Sequence, residues 1–512
     1  MQILSASACG LSRSDLSPAI LEVIESLTKA GYEAYLVGGG VRDLMLGEHP
    51  KDFDAVTNAT PSQIKKVFGR RCRIIGRRFE LAHVHSGREM IEVATFRAPP
   101  KKAITSATGM VLRDNNWGTI EQDFARRDFT VNSFYYQPFD NVVLDFCHAY
   151  KDIKSKTLKL LGDADQRFEE DPVRMLRTLR FAAKLDFKIH QSVLNVFTTD
   201  RIKLLREVSP HRLYDESQKM FSVGRLEKLV QLLDQFQVWQ ELFIDATLTP
   251  LVKQAARNTD QRLASGKTVN SAFFYAVLLW QPYLDRIEHY HQKGIKGHEA
   301  RVQAGMDVLK RQATRTIMPR FAEVFVREVW EMQSRLVHIK PQHIMTLAGH
   351  TRFRAGFDFL MLREQIGDES TQGMAAWWEN FQYLNNDGKE RAIADYRRQQ
   401  KRLHNQAQAE KTSNQDTSSK SKSGKSKVPK TDLQTNTTAD HLEDFLPLVQ
   451  EPIKPRRQRN KSNGHRADAS QTDMNRSESG QTQSNAGLDH PILRRRRVQR
   501  DLKDVIFGPT RV

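Results

Sequence analysis

The chain has 512 residues, enough for two or three domains, and its 79 Lys and Arg against 61 Asp and Glu leave a formal net charge of +18, which calls for an anionic partner, nucleic acid or an acidic membrane surface. A helical membrane span is excluded: the most apolar run, FFYAVLLW at 273–280, stops at Gln281 and Pro282, well short of the roughly 18 residues required. Three cysteines far apart in sequence, Cys9, Cys72 and Cys147, argue against a disulfide framework and against a thiolate zinc site, so metal chemistry falls to oxygen ligands.

The N-terminus, MQILSASACG, lacks the basic and apolar regions of a secretion signal, which places the protein in the cytoplasm. Residues 1–16 read as an N-terminal extension. Over 17–30, Ile20, Leu21, Ile24 and Leu27 recur at helical spacing and end at Gly31. The strand EAYLV follows, then the turn Gly38-Gly39-Gly40, a short helix in VRDLMLG, and a strand, KDFDAV, at 51–56. Alternation along that strand sets Asp52 and Asp54 on one face and Phe53 and Ala55 on the other. RIIG at 73–76, LAHVHS at 81–86 and MIEVATF at 90–96 are further strands. The expectation is an α+β head over 17–150 with an antiparallel or mixed sheet, then a helical neck over 151–220 and a helical body over 221–404.

Beyond 405 the composition turns to Ser, Thr, Asn, Gln, Lys and Asp, and residues 401–512 hold only Phe445 and Phe507 as aromatics. Such a segment buries too little apolar surface to offset its chain entropy, so 405–512 reads as a disordered basic tail. Its 22 Lys and Arg against 13 Asp and Glu over 401–512 supply half of the chain's excess charge. The clusters KPRRQRNK at 454–461 and RRRR at 494–497 suit RNA phosphates, a solubilising tail being the plainer reading. HLEDFLPLV at 441–449 suits a partner protein.

Two carboxylates on one strand face can bridge two magnesium ions, which prefer a few carboxylates completed by phosphate oxygens and water. An isolated Asp-x-Asp is more often a solvated strand edge. Here GGGVRD lies just upstream, with backbone N–H groups and Arg42 at a strand-to-helix turn suited to phosphate. Downstream, EQDFARRDFTVNSFYY at 121–136 brings Arg127 and Asp128. RFEEDPVRMLRTLRFAAKL at 167–185 then offers Pro172 at a first helical position, Asp171 as its cap, and Arg174, Arg177 and Arg180 along one side.

Together, LVGGGVRDLMLGEHPKDFDAVTNATP at 36–61, the RRDFT-x-N block and the EDPVRxLR block resemble the second class of polymerase-beta-like nucleotidyltransferases, which includes CCA-adding enzymes and bacterial poly(A) polymerases. The resemblance covers about residues 20–385. It implies that Asp52 and Asp54 hold the metals, that Gly39, Arg42 and Arg127 contact the incoming nucleotide, and that Asp171, Arg174 and Arg177 read its base. Asp128 is assigned as the third catalytic carboxylate, with Glu92 on MIEVATF as its competitor.

GRRFELAHV, within IIGRRFELAHVHSG at 74–87, resembles the poly(A) polymerase signature, with Arg77, Arg78, Phe79 and His83 at the expected places. A metal pair of His83 and His85 is the lesser reading. LRDNNWGTIEQD at 112–123 and AAWWENF at 375–381 agree, although Trp377 and Trp378 at helical spacing suit a core better than an RNA platform. The implied reaction is magnesium-dependent, template-independent addition of AMP from ATP to RNA 3′ ends, by in-line attack of the 3′ hydroxyl on the α-phosphate. The tail is a candidate site for RNA-decay proteins. CCA addition to tRNA and a catalytically silent RNA-binding protein are the alternatives.

Overall fold

The computed structural model describes residues 1–50, 52–76, 80–98 and 116–419. Arg77, Arg78 and Phe79, the first four residues of LRDNNWGTIEQD, and the tail clusters beyond 419 lie outside the described residues. An eight-stranded mixed sheet organises the head. In chain order the strands are β1 (Gln2–Ser5), β2 (Ala34–Val37), β3 (Asp54–Thr57), β4 (Cys72–Ile75), β5 (Leu81–Ser86), β6 (Glu89–Thr95), β7 (Tyr135–Gln137) and β8 (Val142–Asp145). Their spatial order is β1-β8-β7-β2-β3-β6-β5-β4. Only β3 and β6 run parallel; the other neighbours are antiparallel.

Two sequence-based boundaries are corrected here. Residues 1–16 are no mere extension: Gln2–Ser5 pairs with β8 and forms the edge of the sheet. A four-residue edge strand with all but Leu4 exposed is too short to give a period-2 signal. The strand read as 51–56 begins only at Asp54, so Asp52 stands in the approach to β3 and not on it.

Alternation gives the sheet two unlike faces. Leu36, Ala55, Val84, Val93 and Tyr136 point into the main core. There α1 (Pro18–Lys29) packs against β2, β3, β5 and β6, and α3 (Pro61–Phe68) against β4 and β5 at the edge. Their starts follow from sequence: Ser17 accepts from the Ile20 N–H with Pro18 behind it, and Thr60 and Gln63 form a capping box. The other face carries a small apolar cluster of Val37, Val56, Phe96 and Tyr135. Ile120 and Phe124 of α4 (Ile120–Ala125) cover part of it.

Past the head, α5 (Tyr150–Lys154), α6 (Ala164–Glu170) and α7 (Val173–Leu185) lead into a helical neck and body. FFYAVLLW is buried there as core, with Phe274, Tyr275 and Leu278 inside. No described helix is long and apolar enough to cross a membrane. Trp378 is fully buried and donates Nε1–H to the Leu336 carbonyl at 2.9 Å, so it is core, whereas Trp377 is half-buried and packs against that core. The last helix, Asn386–Ser419, runs past the compositional boundary at 405, because AQAEK is polar yet rich in strong helix formers.

Candidate active site

One register row crosses the sheet and explains the site. Ile3, Leu144, Tyr135, Val37, Asp54, Glu92, His83 and Arg73 are successive partners on the eight strands. Residues directly opposite in a ladder share a face, so Asp54 and Glu92 stand side by side on parallel strands, on the face away from the main core. His83 Nε2 lies 3.4 Å from Glu92 Oε1, an electrostatic contact longer than a hydrogen bond.

A cleft of about 1230 Å³ opens over this row. Its lining includes the carboxylates Asp52, Asp54 and Glu92 and the cations Lys156, Arg177, Arg180, Lys184 and Arg225. Burial, then Glu92, and then Asp52 raise the Asp54 pKa against the opposing pull of Arg127. Crowded carboxylates that repel one another suit a divalent cation. Among the described residues, no group of three or more His, Cys, Asp or Glu could hold a metal ion on its own side chains, the carboxylates of this cleft included. An open set completed by phosphate oxygens and water is what Mg²⁺ prefers.

The glycine turn fixes one end of the cleft. Gly38 has φ +74° and ψ −137°, a conformation open essentially to glycine alone. From it α2 (Gly39–Met45) starts, and Gly39 lines the cleft. Arg42 is almost fully buried at 2% exposure. Its Nε donates to Asp43 Oδ1 at 2.7 Å, and its Nη1 donates to Asn132 Oδ1 at 2.5 Å. Asn132 is the last residue of RRDFT-x-N, so the first two sequence blocks meet through this bond.

Arg127 leaves the end of α4 and reaches back over the sheet row. Its Nε donates to Tyr135 Oη at 3.0 Å, its Nη2 to Asp123 Oδ2 at 3.0 Å, and its Nη1 to the Asn132 carbonyl at 3.3 Å. Arg167 of α6 donates from Nη2 to the carbonyls of Arg126 and Arg127 at 3.2 and 2.6 Å. The neck thereby ties down the loop that carries these arginines.

Asp128 is held by two arginines, with Arg174 Nε at 3.0 Å from one oxygen and Arg177 Nε at 2.6 Å from the other. Burial would raise its pKa, and the two guanidinium groups outweigh burial and lower it. Of the arginines at three-residue steps, Arg177 lines the cleft, whereas Arg174 is engaged by Asp128, Glu170 and the Arg167 carbonyl and is not part of the cleft wall. Arg180 lines the cleft and pairs with buried Glu216 at 2.8 Å. Arg42, Arg177 and Arg180 surround the Phe181 ring at 5.6, 5.7 and 4.6 Å. Asp171 lies outside the cleft lining. One of its oxygens accepts from the Val173 N–H at 3.2 Å and the other pairs with Arg212 at 2.5 Å.

The site therefore gathers Asp52, Asp54, Gly39, Arg42, Arg127, Asp128 and Arg177 around one cleft, and leaves Asp171 and Arg174 behind its wall. Asp123, Asn132 and Tyr135 were not singled out in sequence. Asp123 stands four residues before Arg127, an ion-pair spacing on a helix, and Asn132 closes a quoted block. Tyr135 has no such signal, since it depends on the register of β7.

Comparison with known proteins decides between the family branches. A family model for the Poly A polymerase head domain matches residues 34–159. Two more, described as the probable RNA and SrmB-binding site of polymerase A and the polymerase A arginine-rich C-terminus, match 186–248 and 293–419. Poly(A) polymerase I of Haemophilus influenzae is 40% identical over 419 residues, covering 78% of this chain and 92% of that protein. This chain belongs to the poly(A) polymerase family. A CCA-adding enzyme of Lactococcus lactis is more distant, at 32% identity over 255 residues, 48% of this chain and 61% of that one. Among solved structures, a tRNA-processing enzyme in an apo form is 21% identical with a TM-score of 0.52, covering 72% of this chain and 98% of that chain. That similarity shows a shared fold. Within the poly(A) polymerase family, the quoted head blocks fall inside the matched head model and EDPVRxLR falls between the first two models.

Proposed function

We infer that this protein is a poly(A) polymerase that adds AMP from ATP to RNA 3′ hydroxyls without a template and releases pyrophosphate. The observation that carries the reading is the row placing Asp54 beside Glu92, in a cleft that cations also line, within a chain 40% identical to a poly(A) polymerase I over most of its length. The 3′ oxygen forms a bond to the α-phosphorus as the bond to the β-phosphate oxygen breaks.

We propose that Asp52, Asp54 and Glu92 hold a pair of Mg²⁺ ions. Glu92 replaces Asp128 in this role because Glu92 adjoins Asp54 in register, whereas both oxygens of Asp128 are occupied by arginines. When bound, the metal neutralises triphosphate charge and acidifies the attacking hydroxyl. Gly39 and Arg42 line the phosphate end, and Arg127 faces the same space. Asp128 orients Arg177 toward the base. Asp171 and Arg174 join in base reading when the nucleotide replaces Arg212 and Asp128 as their partners. A planar guanidinium and a carboxylate offer the fixed donors and acceptors that this needs. We further propose that residues 420–512 recruit RNA and RNA-decay proteins in the cytoplasm.

The test is extension of a generic 3′-hydroxyl RNA by purified protein with Mg²⁺ and each nucleotide separately. A long ladder from ATP alone is expected. One or two additions of CTP to tRNA would replace the reading with CCA addition, and no product despite RNA binding would replace it with a silent module.

A further inference from the structure

An arginine that meets a triphosphate must be aimed, because its long side chain otherwise loses much rotamer freedom on binding. Arg127 is aimed by groups that touch no reacting atom. Three of the five N–H donors of a guanidinium are engaged in the bonds to Tyr135, Asp123 and the Asn132 carbonyl. One N–H on each terminal nitrogen is left for a phosphate oxygen.

The tethers are themselves fixed. Tyr135 is fully buried, and its hydroxyl donates to Asp123 Oδ2 at 2.8 Å while accepting from Arg127. The other oxygen of Asp123 accepts from the Arg97 backbone N–H at 3.3 Å. Gly118 permits this closeness: a Cβ there would stand 2.7 Å from the Ala98 nitrogen, so only glycine lets α4 return this tightly over the end of β6. Tyr135 shares the sheet row with Asp54 at a distance of two strands, about 10 Å. The phenol and the proposed metal carboxylate are thus parts of one rigid frame, and Arg127 bridges the space between them.

We propose that Tyr135 and Asp123 are positioning residues that aim Arg127 at the phosphates of the incoming ATP. The proposal rests on the reading of Arg127 as a nucleotide contact. Tyr135→Phe is the sharpest probe, because it removes one oxygen and keeps the ring that Arg127 faces at 4.8 Å and that packs against Phe96 and Phe146.

The experiment is steady-state extension of an RNA oligomer by the full chain, with ATP and RNA varied in turn, for Arg127→Ala, Tyr135→Phe, Asp123→Asn and the double variant Tyr135→Phe/Arg127→Ala. Tyr135→Phe should raise KM for ATP about 10-fold or more, as expected for loss of a hydrogen bond to a charged group, with kcat and KM for RNA little changed. Asp123→Asn should act in the same direction. In the Arg127→Ala background, Tyr135→Phe should add nothing, since a residue acting through another has no effect once the other is gone. A KM for ATP unmoved by Tyr135→Phe, or a rise that persists undiminished in the Arg127→Ala background, overturns the proposal. If Arg127→Ala raises KM for ATP and Tyr135→Phe does not, positioning fails while the nucleotide contact stands. If Arg127→Ala also leaves KM unmoved, both fail.

Discussion

Leu36 and Val37 are neighbours in β2, and Asp54 and Ala55 in β3, yet each pair divides between two faces with opposite tasks. Leu36 and Ala55 are sealed into the main core. Val37 and Asp54 look onto the cleft, where carboxylates crowd one another and the apolar cluster is small. One sheet thus keeps its stability on one face and its chemistry on the other, and substitutions on the two faces should separate stability from activity.

The largest effect belongs to the cleft face. Asp54→Asn should lower kcat by about 10³-fold or more without lowering the melting temperature of the metal-free protein. The sign follows from the raised Asp54 pKa: between the ordinary and the raised value the folded state binds more protons than the unfolded, so stability falls as pH rises through that window. Removing the charge relieves this cost at neutral pH. A marked drop in melting temperature would place Asp54 among the groups that hold the fold.

On the opposite face, Leu36→Ala should cost about 2–5 kcal/mol of stability and leave KM for ATP and kcat per folded molecule unchanged, read by denaturant unfolding beside steady-state kinetics. Asp128 lies between these extremes. Asp128→Asn should cost about 2–3 kcal/mol at neutral pH, since it removes the carboxylate charge that Arg174 and Arg177 share. The Asp128 pKa is lowered in the fold, so its contribution is full above the unfolded value of about 3.9 and fades as pH falls through the folded value. Wild type and variant should therefore converge in acid. Smallest of all, Ser17→Ala removes the cap of α1 and should cost about 1 kcal/mol with no kinetic effect.

Much of this division was legible in sequence, because alternation, caps and glycine turns are local. Strands β5 and β6, helix α1 and the strand position of Asp54 are read from spacing and block resemblance alone. What escaped depends on pairing between distant segments. Glu92 and Asp54 are 38 positions apart, and only the parallel register of β3 and β6 makes them neighbours. Asp128, expected from sequence as the third catalytic carboxylate, meets Arg174 and Arg177 because α7 folds back over the head. The basic stripe on α7 likewise divides three ways, since Asp128 and Glu216 reach it from other elements. A short edge strand such as Gln2–Ser5 acquires its identity only from its partner.

The most direct test compares kcat for Glu92→Gln and Asp128→Asn, both measured at saturating ATP and Mg²⁺ beside their melting temperatures. If the sheet row is the catalytic row, Glu92→Gln loses about 10²-fold or more in kcat at unchanged stability, and Asp128→Asn loses mainly stability and ATP affinity. A Glu92→Gln enzyme with near-normal kcat, beside an Asp128→Asn protein that is stable and inactive, would contradict this and return the third carboxylate to Asp128.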